Sequence, residues 1–394
     1  MSARGHIEVA GAGLAGLAAA TALATRGWSV RVHERSRELR EIGAGIYLWE
    51  NALRALEAIG AYDAVAAGGE RINSPELRDH RHRLLQREWL RDGRLYTVPR
   101  RSLHSALADA ARNAGVEIVT NSAVAGARPD GALELADGEV LSADLVIGAD
   151  GVHSRVRETL GLTSKIVNLH DGCGRHLIPR NADDPVHIAM EEWSGGRRIG
   201  VVPSSREWTY IFLCCPESDE AGTQQQPFNR ETWVESFPQF RSQLERIPDM
   251  PEGRWAAFYD VTASAWYRGR AAIVGDAAHA MSPNLGQAAC IAMSNSVALS
   301  QALDRYDIDT ALSVWQASEQ PVVERVQRYS RLYGKIGTRW PRQLLGARSA
   351  LIWSLGKAKP VQRRIQFAAG YFPALDSGPD LSPVPAMSES RKSA

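Results

Sequence analysis

The sequence predicts an α/β fold: a parallel-sheet body, a mainly antiparallel β domain inserted into it, and helices at the C-terminal end. Three observations carry that reading. The first thirty-five residues run strand, glycine-rich turn, helix, strand. From about residue 166 to 270 the pattern changes to strands joined by short polar turns, as in HIAMEEW, RRIGVVP, WTYIFLCC and WAAFYDV. Strand–turn–helix character then returns at AAIVGDAAHA, and residues 291–345 are mostly helical in period.

Composition narrows the function classes. The chain has 394 residues, 44% apolar and 23% charged, which suits a globular protein with a large core and excludes global disorder. Lys plus Arg number 46 against 45 Asp plus Glu, so the basic excess of a nucleic-acid binder is missing. Cys173, Cys214, Cys215 and Cys290 form no CxxC and have no His at metal-ligand spacing, so neither a disulfide scaffold nor a metal site is expected. The start MSARGHIEVAGAG lacks the apolar core of a secretory signal, and no apolar run reaches membrane-spanning length. A cytoplasmic protein without a membrane or nucleic-acid partner is expected.

Taken in order, HIEVA (6–10) is an apolar strand, GAGLAG the turn, and LAAATALATRG a helix stopped by Gly27. WSVRVHE alternates as a strand and ends on Glu34. Residues 50–70 and 101–115 are helices with glycine stops, and VEIVT, LELADG, EVLSA and DLVIGAD alternate strand and turn. The basic, apolar stretch 346–367 reads as a helix docked over the nucleotide-binding body. The tail 376–394, rich in Pro and Ser, reads as disordered.

Gly11, Gly13 and Gly16 form GxGxxG between strand and helix. The first allows a tight turn, the second lets a pyrophosphate approach the backbone, and the third lets helix pack on strand. The helix start offers free N–H groups and its positive dipole end to phosphates. Glu34 stands eighteen residues beyond Gly16 at the end of the second strand. A carboxylate there accepts from a ribose diol and repels a 2′-phosphate, which favours FAD or NAD over NADP.

Two further motifs follow apolar strands: GADGVHSRVR (148–157) and GDAAHAMSPNLGQAA (275–289). Each sets small residues and an Asp at a strand's C-terminal end, where open α/β sheets bind ligands. Asp276 suits a polyol hydroxyl, and Gly286 and Gln287 would present N–H groups to an electron-rich ring edge. With GAGLAG, these motifs in this order and spacing resemble the class A, single-component FAD-dependent aromatic monooxygenases of the p-hydroxybenzoate hydroxylase fold, over about residues 5–330. EIGAGIYLWENALRALEAIGAYD, the pair Pro179–Arg180, RRIGVVP, Tyr210 and AMSN are similar to the 2-methyl-3-hydroxypyridine-5-carboxylate oxygenase branch.

The resemblance implies a Rossmann-like FAD domain of the glutathione reductase type (1–72, 99–165 and 271–330), a substrate-binding β-sheet domain (73–98 and 166–270) and a C-terminal helical segment (331–375). It places Gly11, Gly13, Leu14, Ala15, Gly16, Glu34, Arg35, Gly45, Arg100, Val124, Asp150, Gly275, Asp276, Pro283, Gly286, Gln287 and Ala288 on FAD-binding positions. It places Arg198 and Tyr210 on substrate, Arg180 near the substrate ring, and Tyr47 and Trp49 along the flavin or substrate wall. Pro283 falls beside the reactive flavin edge, and His279 reads as structural. The implied reaction uses NAD(P)H and O2 to hydroxylate an activated aromatic or N-heteroaromatic carboxylate through a flavin C4a-hydroperoxide, with ring opening as a variant. NAD(P)H would bind transiently, since no second GxGxxG is evident, and the family implies a monomer or homodimer. The alternative is the same flavin fold in another role: halogenase, reductase or non-enzymatic binder.

Overall fold

The computed structural model describes residues 4–39, 44–88, 90, 93–358, 362 and 367–373. The predicted disordered tail 376–394 and part of the 346–367 stretch lie outside the described residues. Among these residues the strands form four sheets.

The six-stranded sheet carries the nucleotide fingerprint. Its order is β18 (Tyr267–Arg268), β19 (Ala271–Ile273), β12 (Leu145–Gly148), β1 (His6–Ala10), β2 (Ser29–His33) and β8 (Glu117–Val119). The strands from β19 to β8 are parallel, so the strand ends carrying all three motifs (β1, β12 and β19) are immediate neighbours. Their side chains are almost wholly buried and apolar, as a sheet covered on both faces requires. Helices α1 (Leu14–Ala24), α4 (Arg100–Asn113) and α10 (Ala288–Arg305) pack on one another and on this sheet. Helix α1 is so rich in Ala and Leu that it is buried nearly all round. A small antiparallel sheet of β11 (Val140–Ser142), β10 (Ala132–Leu135) and β9 (Val124–Ala127) packs beside α5 (Arg155–Thr159).

The inserted domain is a seven-stranded, mainly antiparallel sheet. Its order is β17 (Ala256–Ala263), β13 (Thr163–Pro179), β16 (Trp208–Pro216), β15 (Arg197–Pro203), β14 (Ile188–Ser194), β5 (Ser74–Arg78) and β6 (Leu84–Arg87). Side chains alternate between its faces. The outer face carries Ile178, Ile199, Val201, Ile211 and Leu213 against Trp233, Phe237 and Leu244. Those last three come from the segment holding α6 (Glu220–Thr223), α7 (Arg230–Ser236) and α8 (Arg241–Glu245). The inner face turns toward a third, three-stranded antiparallel sheet: β3 (Gly45–Trp49), β7 (Leu95–Pro99) and β4 (Glu70–Arg71). Residues 95–98, expected with the substrate domain, therefore pair with β3. Helices α2 (Glu50–Ala58) and α3 (Tyr62–Gly68) follow β3.

The short α9 (Asp276–His279) follows β19, and α11 (Ile308–Thr338) is one continuous helix that runs from the nucleotide body to the inserted sheet. The last helix, α12 (Leu345–Lys357), corrects an expectation. It lies on β6 at the edge of the inserted sheet, not over the nucleotide body. Ile352 packs with Leu77 and Trp193, and the buried Arg348 donates to the carbonyls of Gly195 (2.8 Å) and Gly337 (2.9 Å). No helix among the described residues is long and apolar enough to cross a membrane.

Candidate active site at the sheet rim

The fingerprint turn has the geometry its glycines require. Gly11 has φ +101°, and a Cβ there would stand 2.6 Å from the Ala149 carbonyl oxygen. A Cβ on Gly16 would sit 2.0 Å from the Gly11 carbonyl oxygen, so only glycine lets α1 close on the turn. Gly13, the residue before α1, faces open space. The first-turn N–H groups, next to Leu14 and Ala15, thus have room for an anion. At the end of β2, Glu34 accepts from the Ala12 N–H (3.1 Å) and the Ser36 N–H (2.9 Å). Burial raises its pKa, but these bonds outweigh burial and hold the carboxyl below its ordinary range. Arg35 beside it is exposed. Ser122 donates its N–H to the Glu34 carbonyl, which brings the start of β9, with half-buried Val124, alongside.

The other two motifs meet this turn. Asp150 Oδ2 accepts the N–H groups of Arg155 (2.7 Å) and Val156 (3.2 Å), while its Oδ1 is buried without a partner. Gly275, at φ +59°, would place a Cβ 2.6 Å from the Ala15 methyl, and the following Asp276 is exposed. Arg157 ties the motifs together by donating to the carbonyls of Ala277 and Val152, both at 2.7 Å. His279 is buried against Trp266, and burial pushes its pKa down to about 4, which suits a neutral structural imidazole.

The start of α10 corrects one detail. Gly286, at φ +62°, donates its N–H to the Pro283 carbonyl (2.8 Å), closing the turn 283–285, so that N–H is not presented to a ring. The free donors belong instead to the first turn of α10, from Ala288 onward. Gln287 is held by Asn51, whose amide donates to its Oε1 (3.0 Å). A Cβ on Gly286 would lie 3.2 Å from Trp49 Nε1 and 3.3 Å from Tyr47 Cβ, so β3 closes over this turn. Trp49 Nε1 is itself buried without a partner. Arg100 opens α4 and donates its backbone N–H to the Ala44 carbonyl (2.7 Å), beside Gly45. An extended dinucleotide fits these features: glycines a Cβ would clash at, an open helix start, a fixed carboxylate, and two orphaned buried polar atoms at Asp150 and Trp49.

On the inserted sheet, Tyr210 packs against β3; a Cβ on Gly45 would touch its ring at 2.3 Å. Arg198 does not have the freedom expected of a substrate clamp. Its side chain is 1% exposed; Nη1 donates to Asn284 Oδ1 (2.7 Å) and Nη2 to Asp171 Oδ2 (3.3 Å). Helix α11 lies directly on it, since a Cβ on Gly337 would stand 2.8 Å from Arg198 Cδ. Both terminal nitrogens are thus engaged internally while its buried Nε has no partner, and it shares a sheet face with Tyr210 on the neighbouring strand. Arg180 is engaged as well, with Glu70 Oε2 (3.2 Å) and the Ser205 carbonyl (2.9 Å), just past the end of β13.

Sequence reasoning missed Arg175. Strand β13 pairs with β16 so that Arg175 faces Phe212 and Leu177 faces Tyr210. The Arg175 guanidinium neighbours Tyr210 and lies 5.7 Å over the Phe258 ring. Among the described residues no carboxylate pairs with it. Burial pushes Tyr210 above the ordinary phenol range, with Arg175 pulling the other way, so its hydroxyl remains neutral. The signal was the register of β13 on β16, which local pattern does not reveal.

A family model described as an FAD binding domain matches residues 6–311. This chain belongs to the class A FAD-dependent aromatic monooxygenases. It is 41% identical over 334 residues (83% of this chain, 87% of the relative) to AqdB1 of Rhodococcus erythropolis, whose assignment as a 2-heptyl-3-hydroxy-4(1H)-quinolone synthase is itself provisional. It is 36% identical over 360 residues (87% and 94%) to the 2-heptyl-3-hydroxy-4(1H)-quinolone synthase of Mycobacteroides abscessus. Among solved structures, the tetrameric form of 2-methyl-3-hydroxypyridine-5-carboxylic acid oxygenase superposes with a TM-score of 0.83 at 36% identity, covering 93% of this chain and 96% of that one. FAD is the cofactor this family carries, and the rim described above is where it fits.

Proposed function

We propose that this protein uses NAD(P)H and O2 to hydroxylate an electron-rich N-heteroaromatic ring, with a 4(1H)-quinolone carrying an apolar chain as the preferred class. One observation carries this reading: Arg175 neighbours Tyr210 on the inner face of the inserted sheet, and among the described residues it has no carboxylate partner. A cation and a hydroxyl at that place suit an exocyclic ring oxygen that gains negative charge as the ring becomes nucleophilic. The relatives named for quinolone products support the class. We infer that the FAD-binding positions named above act together, with Glu34 on the ribose, the start of α1 on the pyrophosphate, and Asp150, Asp276 and the first turn of α10 toward the riboflavin half. FAD bound there supplies O2 activation and oxygen transfer. Tyr47, Trp49 and Phe212 wall the ring and exclude water. Pro283 gives the turn beside the flavin a rigid backbone.

A second reading, the pyridine carboxylate class, draws on the same unpaired Arg175, which can also clamp a carboxylate. One experiment separates the two. Purified holoprotein is offered 2-alkyl-4(1H)-quinolones and hydroxypyridine carboxylates, while NAD(P)H oxidation, O2 uptake and product mass are followed. Quinolone-stimulated turnover with one added oxygen supports the first reading, and stimulation by the carboxylates alone supports the second. Protein that takes up no flavin, or that neither class stimulates, overturns both.

A further inference from the structure

Glu191 lies in the strand segment HIAMEEW and has so far been given no role. It lies on β14 opposite Gly200 of β15, on the inner face shared with Arg198 and Tyr210. Its Oε1 accepts from Trp193 Nε1 (2.7 Å) and its Oε2 from the Tyr333 hydroxyl (3.2 Å). Arg198 Nη1 is 3.9 Å away, but that nitrogen is given to Asn284 and its neighbour to Asp171. Asn284 follows Pro283 in the turn before α10, so Glu191 stands one guanidinium from the flavin side of the site. The Glu191 side chain keeps 19% of its surface accessible, and Tyr47 and Arg175 are half-buried. Strands β13 and β14 are three steps apart in the sheet, about 14 Å between axes. Arg175 and Glu191 thus sit on one sheet face at a spacing wider than an aromatic ring.

We propose that Glu191 accepts a hydrogen bond from a ring N–H of the substrate and takes that proton as the ring is oxygenated. This rests on the heteroaromatic reading above and selects within it a neutral heteroaromatic ketone with a free N–H. In such a vinylogous amide the nitrogen, the carbon bearing no substituent between the ring carbons, and the ketone oxygen are conjugated. As the N–H bond breaks and a carboxyl O–H bond forms, the freed pair moves to that carbon and to the oxygen facing Arg175 and Tyr210. No electron leaves the ring. After oxygenation the carbon's own hydrogen leaves as a proton and is consumed as the O2 atom not transferred departs in water, while Glu191 returns its proton to the nitrogen. Arg198 from β15, Tyr333 from α11 and Tyr47 from β3 face the carboxylate, with Asp171 of β13 behind Arg198. Burial raises the Glu191 pKa against the pull of Arg198, Trp193 and Tyr333, so it ionises above the ordinary carboxylate range.

The test compares wild-type holoenzyme with Glu191→Gln and Glu191→Ala on a 2-alkyl-4(1H)-quinolone and its N-methyl analogue. Binding is read from the absorbance change of the oxidised flavin, apart from turnover; flavin content and Tm report folding. The wild type should bind the N–H ligand at least about tenfold more tightly than the N-methyl one, as a lost hydrogen bond to a charged group implies. Glu191→Gln keeps an acceptor, so its affinity for the N–H ligand should stay within a few-fold. Its kcat should fall by about 10²–10⁴, and the acid limb of the pH profile should vanish. Glu191→Ala should no longer distinguish the two ligands. If Glu191→Gln keeps its kcat and acid limb, or the wild type discriminates no better than Glu191→Ala, the inference on Glu191 fails while the heteroaromatic reading stands. If the wild type neither binds nor oxidises any N–H heteroaromatic ketone, both fail.

Discussion

The rim of the six-stranded sheet and the inner face of the seven-stranded sheet meet at one site but are built in opposite ways. The rim is a backbone site. Gly11 and Gly16 stand where a Cβ would strike a carbonyl, its donors are N–H groups at helix starts, and Glu34 is oriented by two main-chain bonds. The inner face is a side-chain site. Arg175, Tyr210, Glu191 and Tyr333 come from four different elements, and what each can do depends on which neighbour already holds it. Arg175 and Arg198 show this most sharply. They lie on the same face of one sheet, yet Arg198 is sealed under α11 with Asp171 and Asn284, while Arg175 lies over the Phe258 ring with no carboxylate partner among the described residues.

The harshest way to probe the contrast is at the rim. Gly16→Val would drive a branched side chain into a carbonyl 2.0 Å from its Cβ position, in a helix packed on the turn. The expected result is protein with almost no bound flavin, read from the visible absorbance per protein; normal flavin content would mean α1 does not sit on the fingerprint as described.

The two arginines should separate next. Arg198→Met leaves Asp171 buried without its cation, and breaking such a pair costs about 3–5 kcal/mol of stability, visible as a lowered Tm. Arg175→Met removes no ion pair, so Tm should hold while kcat/KM falls by about 2–5 kcal/mol in transition-state terms. The reverse pattern, with Arg198→Met stable but unable to bind substrate, would return the substrate role to Arg198.

A gentler test concerns Glu34. Glu34→Gln keeps the shape and loses the charge that the Ala12 and Ser36 N–H groups favour. FAD affinity should drop by about 1–2 kcal/mol, measured by titrating apoprotein with flavin. Unchanged affinity would remove the ribose assignment.

A last effect is a pH dependence carried by two buried histidines. Burial holds His176 and His279 at pKa values of about 4. Unfolded histidines titrate near 6.5, so between about pH 6.5 and 4 the unfolded chain binds more protons and stability falls as pH falls. Each histidine should contribute about 1.4 kcal/mol per pH unit in that window. Denaturant melts from pH 7 to 4.5 should flatten in His176→Asn; an identical slope would mean the imidazole is already charged in the native state.

The strands, the closure of Gly16 on Gly11, and Glu34 could be read along the chain because each depends on residues within about twenty positions. A glycine five residues from its clash partner, or a carboxylate at the end of the next strand, announces itself locally. Arg198 shows the complementary case. Its motif and strand parity are right for a ligand contact, but its fate rests on Asp171, Asn284 and Gly337, which reach it from β13, the 283–285 turn and α11. The C-terminal helix misled: its apolar and basic pattern foretold docking, while β6 and the carbonyls of Gly195 and Gly337 set where.

Local order in the chain was thus enough to specify a flavin rim and an inserted sheet, since main-chain sterics and side-chain alternation act over short separations. Which arginine stays available, and that a carboxylate on β14 stands near Tyr47, emerged from packing. Partner choice among buried charges is settled by desolvation and contact between segments far apart in sequence, and no stretch of residues carries that information alone.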